Sequence, residues 1–290
     1  MAEEPREEGK RSVGYGLGEV DSVLSVDEVA RQASELAGEG VATERIAELA
    51  HNEPYLKIDK LVAGYGKMEI LHGIDLQVAA EQSLCLIGPN GAGKSTILHS
   101  IYGFTDIRSG QITADGKEIT RLNSNQKLKS AGIAYILQDN SVFPDMTVEE
   151  NLLMGGYLMA SRAEAQESAE RIFEKYSRLA ERRSQPARVL SGGERRLLEI
   201  SRALVMEPQV LLVDEPSIGL EPRFIDMVFE ILDDLQHHEG KTIIMVEQNA
   251  KKGLEFADIG YVLVSGQVAM AGPGNELLED PQVGRLFLGG

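Results

Sequence analysis

From Tyr55 onward, short apolar runs are punctuated by glycine: Leu56-Lys-Ile58, Ile70-Leu-His-Gly-Ile74, Leu84-Cys-Leu-Ile87, then Val210-Leu-Leu-Val213 and Ile243-Ile-Met-Val246. Runs of consecutive apolar residues are expected where a strand is covered on both faces, and helical stretches separate them. The pattern predicts an α/β domain around a largely parallel sheet. Between about 147 and 205 the periodicity becomes nearly all helical, opened by the capping box Thr147-x-x-Glu150. That stretch predicts a helical subdomain. Upstream, Ser25-Val-Asp-Glu28 is a second capping box ahead of Val26, Val29, Ala33 and Leu36 at helical spacing, and Ile46, Leu49 and Ala50 form a further short helical pattern after Gly38 and Gly40. A small helical hairpin is predicted there, with too little apolar surface to stand alone, so it docks or frays. Residues 1 to about 22 show no periodicity and are read as a disordered arm.

Composition narrows the function classes. Of 290 residues 46 are acidic and 29 basic, a net charge of −17, with 42% apolar. Length and apolar share support one large domain or two small ones and exclude disorder throughout. The first 50 residues hold 12 of the acids and 5 of the basic residues, an acidic extension. Such a balance opposes broad attraction to nucleic acid or anionic lipid, so any bound anion must be held by local geometry. No run approaches the roughly 18 apolar residues of a spanning helix, and the opening lacks the order of a secretory signal, so the chain is expected to stay where it is made. Cys85, the single cysteine, sits between Leu84 and Leu86 and reads as a core residue in a reducing compartment.

Gly88-Pro-Asn90-Gly91-Ala92-Gly93-Lys94-Ser95 satisfies G-x-x-x-x-G-K-[ST] and lies between a predicted strand and a predicted helix. Its glycines let successive N–H groups point into one concavity at the positive end of that helix, which fits a polyphosphate. Lys94 would reach the β- and γ-phosphates, Ser95 would ligate Mg²⁺, and Thr96 would support the α-phosphate. Val210 to Val213 ends in Asp214-Glu215, where a buried strand delivers two carboxylates to the sheet edge: Asp214 for the metal shell and Glu215 to polarise a water. Leu190-Ser191-Gly192-Gly193-Glu194 opens another helix; its hydroxyl and amides make either a second anion site or a plain N-cap.

In this order the sequence resembles the ATP-binding subunit of an ABC transporter. The motifs are Gly88 to Ser95 (Walker A), Gln138 (the Q-loop), Leu190 to Glu194 (the signature), and Asp214 with Glu215 (Walker B and the catalytic Glu). The resemblance covers residues 55–290 and leaves 1–54 unmatched. It implies an α/β P-loop NTPase fold with a RecA-like core, an antiparallel β subdomain and a helical subdomain. It also implies ATP and Mg²⁺ as cofactors. Tyr65 would stack on adenine; Gly88, Asn90, Gly91, Ala92, Gly93, Lys94, Ser95 and Thr96 would hold the phosphates. Ser95, Gln138 and Asp214 would surround the metal, and Glu215, Gln138, Gln248 and Lys94 would carry the chemistry. Ser191, Gly192, Gly193 and Glu194 would close over a nucleotide bound by another subunit.

A narrower resemblance rests on Met146-Thr-Val-Glu-Glu-Asn151, Met154-Gly-Gly156, Glu215-Pro-Ser-Ile-Gly-Leu220, Val246-Glu-Gln-Asn-Ala250, Gly260-Tyr-Val-Leu263 and Leu288-Gly-Gly290. Together they are similar to the second ATPase of branched-chain amino acid uptake systems, with urea and amide importers close by and lipid or lipopolysaccharide export ATPases as the alternative. The resemblance implies head-to-tail pairing with a second, related but different ATPase subunit and coupling to two membrane permeases. A periplasmic solute-binding protein would act indirectly, and the seat would be peripheral, on the cytoplasmic face of the inner membrane. No nucleic-acid partner is expected: a soluble ABC ATPase of that kind adds zinc modules or a second cassette, and this chain has no Cys pair. Phe143, Pro144, Met146 and residues 152–158 are candidates for the groove that receives a permease helix. Two positions depart from the wider family: Gln248 stands where most members have His, and Glu221 where many have Asp. A Gln amide can donate a hydrogen bond but carries no charge.

Overall fold

The computed structural model describes residues 40–138 and 141–287. The predicted arm 1–22, the helix predicted over 25–36, Asp139 and residues 288–290 lie outside the described residues. In chain order the first half forms α1 (Thr43–Leu49), β1 (Pro54–Tyr65), β2 (Met68–Ala79), β3 (Ser83–Ile87), α2 (Lys94–Tyr102), β4 (Asp106–Ala114), β5 (Lys117–Glu118), α3 (Ser124–Ala131) and β6 (Ile133–Ile136). The second half forms α4 (Val148–Gly155), α5 (Arg162–Lys175), α6 (Ser177–Ala180), α7 (Gly192–Leu204), β7 (Val210–Asp214), α8 (Pro222–His237), β8 (Thr242–Val246), α9 (Ala250–Phe256), β9 (Ile259–Val264), β10 (Gln267–Pro273), α10 (Gly274–Glu279) and α11 (Pro281–Phe287).

Two sheets result. Strands β2-β1-β4-β5 form an antiparallel sheet, and β10-β9-β3-β8-β7-β6 form a second sheet that is parallel except for its β10 edge. Every residue of β3, β7, β8 and β9 is buried, which is why these strands read as continuous apolar runs. Their side chains alternate between two cores, as a period of two requires. Cys85, Ile87, Leu211, Val213, Ile243 and Met245 join Leu152, Leu198 and Leu232 of α4, α7 and α8. Leu84, Leu86, Val210, Leu212, Ile244 and Val246 join Ile97 and Ile101 of α2 and Leu56, Ile58 and Leu76 of the antiparallel sheet. Helix α2 is therefore held between two sheets.

Of the predicted N-terminal hairpin, the second helix is described, and it docks. Ile46 and Leu49 of α1 are buried in the same core as β1 and β2, and Gln82 Nε2 donates to the Leu49 carbonyl at 3.1 Å. Among the described residues between β6 and β7 the regular elements are helices, and one isolated bridge joins Thr147 to Pro186. The Thr147 box forms as its spacing implies: Glu150 N donates to Thr147 Oγ1 at 3.1 Å and Thr147 N to Glu150 Oε2 at 2.7 Å. Buried Asn151 ties the preceding turn to α4, accepting from Phe143 N at 2.7 Å and donating to the Phe143 and Thr147 carbonyls at 3.0 Å each.

Candidate functional site

The loop Gly88 to Gly93 joins β3 to α2. Gly88, Gly91 and Gly93 all have positive φ, the region that lets consecutive amides converge. Gly88 is also a point of close approach: a Cβ there would lie 2.1 Å from the Leu263 carbonyl oxygen of β9. Asn90 and Gly91 are exposed at the rim, whereas Ala92, Gly93, Lys94 and Thr96 are buried and Ser95 half-buried. The turn between β9 and β10 clamps the loop from behind. Gly266 N donates to the Ala92 carbonyl, and His72 N of β2 to the Gly266 carbonyl, both at 2.9 Å. Gly266 has no motif around it, so sequence reasoning missed this clamp. Lys94 Nζ donates to the Gly88 carbonyl at 2.8 Å and the Pro89 carbonyl at 3.1 Å. Burial pulls its ammonium below the usual lysine range, opposed in part by the Glu215 and Asp214 carboxylates.

Those two carboxylates come from the end of β7. Ser95 Oγ donates to Asp214 Oδ1 at 3.0 Å, and Tyr135 OH of β6 donates to Asp214 Oδ2 at 2.8 Å. Asp214 is buried, with both oxygens held. Gln138 Nε2 donates to Glu215 Oε2 at 2.9 Å. Glu215 takes φ +45°, a left-handed conformation costly for a non-glycine residue, and its N–H donates to the Val246 carbonyl at 2.9 Å. Lys94, Ser95, Gln138, Asp214 and Glu215, named separately from the sequence, thus meet in one place. Gln248 lies just past β8 with an exposed side chain. Its neighbour Glu247 is 1% exposed and takes hydrogen bonds from Ser217 Oγ at 2.7 Å and Asn249 N at 2.9 Å. Glu247 therefore fastens the segment after β7 to the segment carrying Gln248. Tyr135 and Glu247 were not singled out from the sequence, because a Tyr within a strand and a Glu at its end carry no signal of what they face.

Tyr65 ends β1 with its ring 39% exposed and its hydroxyl hydrogen-bonded to His99 Nδ1 of α2. His99 in turn meets Phe104 and Tyr135 edge-on, with ring centroids 5.7 Å and 5.8 Å away, and burial lowers its pKa, favouring the neutral imidazole. The signature residues are not brought into this cluster. Ser191 Oγ accepts from Glu194 N at 3.3 Å, Ser191 N donates to Glu194 Oε2 at 2.9 Å, and Arg182 Nε pairs with Glu194 Oε1 at 3.4 Å. Backbone and hydroxyl donors of Ser191, then Arg182, hold the Glu194 carboxyl below its usual range. Gly192 is exposed, while Gly193 packs so tightly on α8 that a Cβ would lie 2.2 Å from the Phe224 ring. Among the described residues no hydrogen bond links 191–194 to the loop 88–96.

The donor set suits a hard divalent cation: the Ser95 hydroxyl lies 3.0 Å from Asp214 Oδ1, and the Gln138 side chain adds an amide oxygen. Hydroxyl, carboxylate and amide oxygens beside a phosphate loop match Mg²⁺ rather than a soft metal. A phosphate loop opening a helix, with carboxylates at the end of the parallel strand β7, defines a P-loop ATPase.

The comparisons agree. The family model described as ABC transporter matches residues 71–218, and the chain belongs to that family of ATP-hydrolysing transporter subunits, which bind adenine nucleotide and work with membrane permeases. It is 41% identical over 235 residues to the high-affinity branched-chain amino acid transport ATP-binding protein BraG of Pseudomonas aeruginosa, covering 81% of this chain and 100% of that protein. It is 30% identical to the lipopolysaccharide export system ATP-binding protein LptB of Haemophilus influenzae, covering 81% of this chain and 97% of that one. A solved ATP-binding cassette of an ABC transporter, MJ1267 in its ADP conformation, superposes with a TM-score of 0.72 at 29% identity, covering 82% of this chain and 99% of that chain. No helix among the described residues is long and apolar enough to cross a membrane.

Proposed function

We propose that this chain energises uptake of branched-chain or other hydrophobic amino acids. It would sit peripherally on the cytoplasmic face of the inner membrane, paired with a related second ATPase subunit beneath two permeases, with a periplasmic solute-binding protein upstream. The observation that carries the chemistry is the convergence of Ser95 on Asp214 and of Gln138 on Glu215. The solute is supported by the higher identity to the amino acid system than to the lipopolysaccharide system, 41% against 30%.

In this reading the amides of residues 88–96 and the Lys94 ammonium hold the β- and γ-phosphates, and Tyr65, its hydroxyl anchored on His99, offers a face to adenine. Ser95, Asp214 and Gln138 would hold Mg²⁺, which when bound neutralises charge on the phosphate oxygens. Glu215 accepts a proton from the attacking water, and the Gln138 amide at 2.9 Å keeps that carboxylate aligned. Gln248 donates an uncharged hydrogen bond near the γ-phosphate. The 191–194 turn of one subunit closes over the nucleotide held by the other, so two subunits are needed for two complete sites. Movement would pass to the permeases through a cavity of about 420 Å³ lined by Met146, Leu153, Met154, Tyr157 and Met159.

Reconstitution with the permeases and binding protein tests the solute. Leucine, isoleucine or valine should stimulate ATP hydrolysis; stimulation by lipopolysaccharide with no response to these amino acids would replace uptake with export.

A further inference from the structure

One buried guanidinium joins three segments of this site. Arg196 lies on α7, two residues past Glu194, and is 4% exposed. Its Nη1 donates to the Leu137 carbonyl at 2.9 Å and to Glu199 Oε2 at 2.9 Å, and its Nη2 reaches the Asp214 carbonyl at 3.5 Å. Leu137 immediately precedes Gln138, and Asp214 immediately precedes Glu215. Those following residues are the two whose side chains meet at 2.9 Å. A single planar fork therefore holds the backbone on both sides of the Gln138–Glu215 contact while standing on the helix that begins at the signature turn.

Stability alone does not account for this arrangement. A buried ion pair is rarely more stable than apolar groups of the same volume. Arg196 and Glu199 pair within one helix turn, yet the guanidinium also directs donors at carbonyls of two other segments. An ammonium could neutralise Glu199 equally well; only the fork of an arginine reaches both carbonyls at once.

We propose that Arg196 is a positioning residue that sets the alignment of Gln138 with Glu215 from the helix carrying the 191–194 turn. Engagement of that turn by a second subunit would thereby be felt at the hydrolytic pair of the same chain. This inference rests on the reading of Gln138 and Glu215 in hydrolysis given above.

A double-mutant cycle on the full chain assembled with its partner subunits tests it. Arg196→Met/Glu199→Leu replaces the buried pair with apolar groups, and Arg196→Lys keeps the charge but not the fork; each is made with and without Gln138→Ala. With Gln138 present, both changes should lower kcat by about tenfold and leave KM for ATP within about twofold. In the Gln138→Ala background they should add less than about twofold. Should the apolar replacement fail to fold, Arg196→Lys alone completes the cycle. Equal losses in both backgrounds would show that Arg196 acts independently of Gln138 and overturn the inference, leaving the hydrolysis reading intact. An unchanged kcat for Gln138→Ala by itself would remove Gln138 from the chemistry and the inference with it.

Discussion

The phosphate loop and the signature turn both place glycines at the start of a helix, yet they are wired differently. Lys94 and Ser95 sit in a web that reaches β6, β7 and β9, with Ser95 and Asp214 in contact across 119 residues of sequence. Ser191 and Glu194 bond to each other, and Glu194 also pairs with Arg182. The first region has Ser95, Gln138, Asp214 and Glu215 assembled within one chain. In the second, the hydroxyl serves the capping box and Gly192 stands exposed, which fits the proposed function, where the turn takes its chemical role at the loop of another subunit. Under the proposed function this difference separates hydrolysis, assigned to the first region, from closure, assigned to the second.

The largest expected effect lies in the first region. Glu215→Gln should slow hydrolysis by about 10²- to 10⁴-fold, the usual loss for a general base, while nucleotide affinity stays unchanged. A steady-state assay alongside a binding titration measures both, and full turnover would take Glu215 out of its role. In the second region, Gly193→Ala drives a methyl against the Phe224 ring. It should destabilise the fold by about 1–3 kcal/mol and weaken association between subunits more than it weakens nucleotide binding to a single chain. Equal effects on both would erase the distinction between the regions.

A smaller effect sharpens the scaffold beneath the loop. Lys127 of α3 is fully buried and donates to the Ser100 carbonyl near the end of α2 at 3.2 Å. Burial pushes its ammonium down from 10.5 to about 8. Between those values the unfolded chain binds more protons than the folded one, so stability rises with pH across that window. Below pH 8 the folded state bears the full cost of the buried charge. Lys127→Met should therefore stabilise the protein by about 1–2 kcal/mol at pH 7, after the lost hydrogen bond is set against the charge. The gain should shrink toward pH 10.5. Denaturant melts at pH 7 and pH 10 check this, and destabilisation at pH 7 would make the ammonium a net contributor.

Much of this architecture is legible in the sequence because it is local. The apolar runs at 84–87, 210–213 and 243–246 mark strands buried on both faces, and the spacing of Gly88, Gly93, Lys94 and Ser95 marks a loop entering a helix. The capping box at Thr147 needs only residues three apart. What stayed hidden is long-range. Nothing near Arg196 in the sequence shows that it faces the Leu137 carbonyl: it is buried, with Glu199 and that carbonyl receiving it. Tyr135 looks like one more strand residue, and its bond to Asp214 spans 79 positions. The apolar spacing of Ile46 and Leu49 leaves docking and fraying both open; docking follows from the core surface offered by β1 and β2, which lies outside residues 43–49.

Calorimetric titration of Mg²⁺-ATP into the wild-type chain and into Lys94→Ala tests the central claim most directly. The ammonium lies inside the loop at 2.8 Å from the Gly88 carbonyl, and charge-assisted contacts to phosphate are worth about 1.5–3 kcal/mol. The wild type should bind nucleotide and the variant should bind it roughly ten- to a hundredfold more weakly. Equal affinity for the two chains would mean that the triphosphate is held elsewhere.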